Sequence, residues 1–130
     1  MTLFNSSLKT MDSAEEVAET HNRNDERELF YQKLQLPKGF EAKRFNGMNR
    51  VHFKRNMIGF AVMDMNAKTY NIATRARIFN AIGIHDYERT ENLGPNHAII
   101  KGIEFSDTEI LYKLINFVNE LKGLEDYIKN

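Results

Sequence analysis

Arg50-Val51-His52-Phe53-Lys54-Arg55 alternates basic and apolar residues. A period of two sends successive side chains to opposite faces, so Val51 and Phe53 share one side of a strand and Arg50, His52 and Lys54 the other. Such a strand has one face for a core and one for solvent, which points to an antiparallel sheet covered on one side. Ile58 to Met63 keeps the period, with Ile58, Phe60 and Val62 on one face and Gly59, Ala61 and Met63 on the other. Phe40 to Phe45 reads as the preceding strand. Asn46-Gly47 is a tight-turn signal, lengthened by Met48-Asn49.

Outward from this hairpin, Asp64 to Ala67 reads as a turn and Thr69 to Ile78 as a fourth strand, its last residues from Arg75 open to a helical alternative. In that strand Tyr70, Ile72 and Thr74 oppose Asn71, Ala73 and Arg75. Tyr87 to Glu91 suits a short polar strand and His97 to Phe105 a longer one, with Ile99 and Ile103 most clearly buried. Ser106 opens a helix signal, with Glu109 at the capping-box spacing. Ile110, Leu111, Leu114, Ile115, Phe117, Val118 and Leu121 then form an apolar stripe at helical spacing. Gly123 ends that helix unless the pattern resumes through Leu124, Tyr127 and Ile128. Near the N-terminus, Ser13 with Glu16 starts another helix signal running to about Leu34, as one helix or as two broken at His21-Asn22-Arg23-Asn24. Its second half, with Leu29, Phe30, Leu34 and Leu36, is expected in the core.

The expected fold is therefore α+β: an antiparallel sheet of four to six strands in a meander, flanked by an N-terminal and a C-terminal helix. Residues 1–11 are expected to form a flexible tail and residues 12–130 one domain. The 130 residues suit one domain, and 42% hydrophobic with 28% charged residues is a globular composition. No run approaches the eighteen or so apolar residues of a membrane span, and the first residues lack a secretory leader's pattern. The chain has no cysteine, which excludes disulfides, thiolate catalysis and cysteine metal sites. A cytoplasmic location fits these features.

The charge is zero overall but segregated. Residues 1–37 carry four Lys/Arg against seven acids, a net of −3; residues 38–78 carry nine against two, a net of +7; residues 79–130 carry five against nine, a net of −4. The basic centre supplies the candidate site. Lys43, Arg44, Arg50, His52, Lys54 and Arg55, with Arg75 and Arg77 from a later strand, form repeated cations of the kind that neutralise phosphates or meet an acidic protein surface. Phe45 and Tyr70 are candidate stacking surfaces. Mutual neutralisation by the chain's own acidic segments is the competing reading.

No catalytic, cofactor or metal site is expected. The four histidines, His21, His52, His85 and His97, include no pair four residues apart. The nearest nuclease-like sets, Asp64 with Lys68 and His52 with Lys54, are sparse. Glycine-rich phosphate loops and nucleophilic triads are absent. The acidic first helix, with Glu15, Glu16 and Glu19, offers a second surface, suited to docking another protein.

From Arg50 to Lys122 the order of features resembles a small uncharacterised bacterial α+β domain found attached to restriction-type or predicted-transport proteins. The quoted strand Arg50–Arg55, the Phe60-Ala61-Val62 strand, the Asn92-Leu93-Gly94 loop, the Ala98-Ile99-Ile100 strand and the closing helix carry the resemblance. It implies an accessory role in bacterial or phage defence and assigns no catalytic residue. The expected function is a non-enzymatic accessory or binding protein that contacts nucleic acid or an acidic protein surface through the basic sheet face. The alternatives are a protein-interaction module or mobile-element inhibitor acting through the acidic helix, and a small hydrolase or nuclease. No membrane partner is expected, and a homo-oligomer stays open.

Overall fold

A computed structural model describes residues 26–45 and 48–128. The chain divides into two compact units between Leu34 and Gln35. The first contains a helix over residues 26–32 (α1), in which Phe30 is buried and Leu29, expected in the core, is half exposed. The expected tail, the Ser13–Glu16 helix start and the acidic residues Glu15, Glu16 and Glu19 lie outside the described residues.

The second unit is a six-stranded antiparallel sheet with helices after it, so the chain as a whole has an α+β arrangement. Its strands are β1 (Phe40–Arg44), β2 (Arg50–Arg55), β3 (Ile58–Met65), β4 (Thr69–Arg75), β5 (Glu88–Thr90) and β6 (His97–Glu104), and its helices α2 (Ala76–Ala81), α3 (Glu109–Glu120) and α4 (Glu125–Ile128). The strand order is β1-β2-β3-β4-β6-β5. The first four strands make the expected meander. The last two do not: α2 carries the chain away from β4, and β6 returns to pair with β4, leaving β5 on the outer edge.

The alternation in β2 does what its pattern dictates. Val51 and Phe53 are fully buried, and their ladder partners Met63 and Ala61 are buried beside them. Ile72 and Tyr70 on β4 and Ala98 on β6 continue this inner face. α3 lies across it, held at both ends. At the start, the Tyr70 hydroxyl donates to the Asp107 carbonyl. At the end, Arg55 Nη1 donates to the carbonyls of Val118 and of Leu121, the latter at 2.7 Å. Leu111, Leu114, Ile115 and Val118 are the helix's buried stripe, as its spacing requires.

Two local expectations are corrected, and one open alternative is settled. The β2–β3 register shifts between Phe53 and Lys54, because Phe60 is an extra residue on β3. This bulge puts Phe60 in the core beside Phe40 and Phe53 and moves Ala61 and Met63 onto the inner face. The buried Thr74 hydroxyl donates to the Phe60 carbonyl, which satisfies the acceptor at the bulge. β4 ends at Arg75, and the helical alternative for the residues after it is the one adopted. α3 starts at Glu109 with Thr108 as its cap residue and no capping-box bond; instead Asp107 Oδ1 accepts from the Glu109 N–H at 3.2 Å.

The β2–β3 turn is Asn56-Met57, with φ of 49° and 71°. Positive φ at both central residues is the hairpin geometry that matches strand twist. No helix among the described residues is long and apolar enough to cross a membrane.

Candidate nucleic-acid interface

The outer face of the sheet is set by the same alternation. Lys43 on β1 pairs with His52 on β2, His52 with Val62 on β3, Val62 with Ala73 on β4, and Ala73 with Ile99 on β6. One step along, Glu41 pairs with Lys54, Lys54 with Gly59, and Arg75 with His97. The middle of this face is small and mostly apolar, made by Gly59, Val62 and Ala73. Around it stand larger side chains, mostly basic, with two acids among them: Glu41 opposite Lys54 and Asp64 against Arg50.

Together they form a groove of about 140 Å³. Its lining includes His52, Lys54, Arg75 and His97, with Ile128 of α4 beside them. The volume is below the roughly 300 Å³ at which cavities begin to enclose a small organic ligand.

Burial, and then the neighbouring charge of Arg77, push the Arg75 pKa down from its ordinary value. His97 Nδ1 lies 3.2 Å from the Pro95 carbonyl, which only accepts, so Nδ1 carries the proton and orients the ring.

The structure separates the eight cations expected to act together. Lys43, Arg50, His52, Lys54 and Arg75 share the outer face. Arg50 is held there by Asp64 through Nε–Oδ1 at 2.8 Å and Nη2–Oδ2 at 3.1 Å, and that hydrogen bond raises its pKa. Arg55 projects to the inner face, where it serves the end of α3. Arg44 also sits on the inner side of β1, and its Nε donates to the Met48 carbonyl at 2.7 Å. Arg77 lies on α2 and donates to the Asp126 carbonyl of α4 at 3.1 Å. Tyr70, an expected stacking surface, is fully buried with its ring parallel to Phe105 at 6.2 Å.

Sequence reasoning missed His97 as a lining residue. Its signal was present, because it is in phase with Ile99, but the pairing of β6 with β4 is not a local property. Among the described residues no group of three or more His, Asp or Glu side chains could hold a metal ion. Asp64, the nuclease-like candidate with Lys68, is engaged by Arg50.

No protein-family model, curated protein or solved structure matches the chain. The functional reading therefore rests on the groove itself.

Proposed function

We propose that this protein is a non-enzymatic accessory protein that holds nucleic acid on the outer face of its sheet. Lys54 and Arg75 contact phosphates, with Lys43, His52 and His97 beside them. The observation that supports this most is the convergence of four basic side chains on a shallow groove with a small, mostly apolar floor. Backbone contacts of this kind carry most of the affinity of sequence-independent binding and make it steeply salt-dependent.

The test is fluorescence anisotropy with labelled oligonucleotides at low salt, followed by salt titration. Lys54→Ala and Arg75→Ala should each weaken binding and reduce the slope of log K against log salt by about 1. Arg44→Ala, which alters a cation on the inner side of β1, should leave both unchanged. Absence of binding at low salt, or binding indifferent to both groove variants, would remove the proposal. Equal affinity for an acidic polypeptide would instead favour an acidic protein partner.

A further inference from the structure

We propose that the nucleic acid held here is single-stranded, and that Phe45 stacks on one of its unpaired bases. This rests on the reading of the outer face as a nucleic-acid surface. Phe45 follows β1, and half of its surface is exposed. It is not isolated. Lys43 Nζ lies 5.4 Å from the ring centroid, and the His52 ring meets it edge to face at 6.1 Å and 75°. His52 also lines the groove, so the aromatic surface is continuous with the basic one.

A phenylalanine ring has no polar atom and offers an incoming group only its π-face and edge. Phosphates and sugars gain little from it, whereas every unpaired base has a π-face of its own. In a duplex those faces are covered by neighbouring base pairs. A cation beside an aromatic platform meets both parts of a nucleotide at once, the phosphate and the base. From Phe45 through His52 and Lys54 to Arg75 the surface crosses three interstrand spacings, about 14 Å, and about four residues along the strands, roughly 20 Å from end to end. That is room for a few nucleotides of extended chain.

The chain contains no tryptophan, so Phe45→Trp installs a single emitter at the proposed stack. Anisotropy with a fifteen-nucleotide oligo-dT, its duplex with oligo-dA, and heparin as a polyanion without bases separates the contributions. Oligo-dT should bind the wild type more tightly than the duplex does. Phe45→Ala should weaken oligo-dT binding by roughly ten- to a hundred-fold and change heparin binding less than about two-fold. Phe45→Trp should retain oligo-dT binding, and its emission should be quenched by oligo-dT and not by heparin. An equal effect of Phe45→Ala on all three probes, or Trp emission indifferent to oligo-dT, overturns the stacking. Duplex binding as tight as single strand overturns the strand preference and leaves the nucleic-acid reading intact. If none of the three probes binds the wild type, that reading and this inference fall together. Should Phe45→Ala fail to fold, the Phe45→Trp emission alone decides.

Discussion

Replacing Arg55 by methionine tests whether the cation at the end of β2 belongs to the fold or to the basic face. Its Nη1 donates to the carbonyls of Val118 and Leu121 at the end of α3, where the Val118 carbonyl also accepts the Leu121 N–H at 3.2 Å. A hydrogen bond from a charged donor contributes about 1.5–3 kcal/mol, and a positive charge at a partly buried helix C-terminus adds up to about 2. Both bonds share one nitrogen, which argues for the lower part of that range. Arg55 Nε is buried with no hydrogen-bond partner among the described residues and costs about 1 kcal/mol or more, a cost that methionine removes. The net loss for Arg55→Met is therefore about 2–4 kcal/mol. Urea denaturation followed by circular dichroism should show a lower midpoint at unchanged m. Arg55→Lys keeps the charge but not the planar fork and should fall between the two. Lys54→Met, one residue away on the outer face, should stay within about 0.5 kcal/mol. A loss below about 0.5 kcal/mol for Arg55→Met would refute the helix-end role. If that variant instead lost oligonucleotide affinity at full stability, Arg55 would belong to the binding surface.

Tyr70→Phe removes the donor to the Asp107 carbonyl and should cost about 1–2 kcal/mol in the same assay. Burial, with Asp107 next, raises the Tyr70 pKa well above its ordinary 10.0. The folded state thus holds this proton longer than the unfolded one, so its contribution is complete below pH 10 and is lost as pH rises above that. Stability measured from pH 9 to 11.5 should fall more steeply for the wild type than for Tyr70→Phe; parallel curves would contradict the assignment. Met57→Gly at the hairpin turn replaces a side chain that is 89% exposed at φ 71°. Relief of left-handed strain, about 1–2 kcal/mol, exceeds glycine's entropic cost of about 0.5–1, so Tm should rise by about 2–4 °C. An unchanged or lower Tm would show that the turn carries no such strain.

The alternation at Val51 and Phe53 was enough to place β2, its two faces and the helix-covered core, because a period of two leaves no freedom once one side is buried. The same alternation puts Arg55 with Val51 and Phe53, yet charge alone marks it for solvent. Only the carbonyls of Val118 and Leu121 at the end of α3, more than sixty residues away, explain why a cation turns inward. Tyr70 misleads in the same way: its ring looks available until the Asp107 carbonyl supplies its hydroxyl with a buried partner. The bulge at Phe60 escaped detection because it depends on how two strands pair, not on either one. His97 entered the groove through a ladder between β4 and β6 that no nearby residue announces. What sequence does give is the cationic face itself, through Lys43, His52, Lys54 and Arg75.

The insertion of β6 between β4 and β5 has a consequence for how the chain assembles. β1 to β4 close through short neighbouring connections, whereas Thr74 meets Ala98 only after the intervening segment has formed its own turns. The four-strand ribbon can zip up first, and the docking of β6 is the slower, entropically costlier event. Deuterium labelling during refolding would then protect Phe53 and Met63 before Ala98, and since Arg75 and His97 face each other across that last seam, one half of the basic lining comes into being only when the seam shuts.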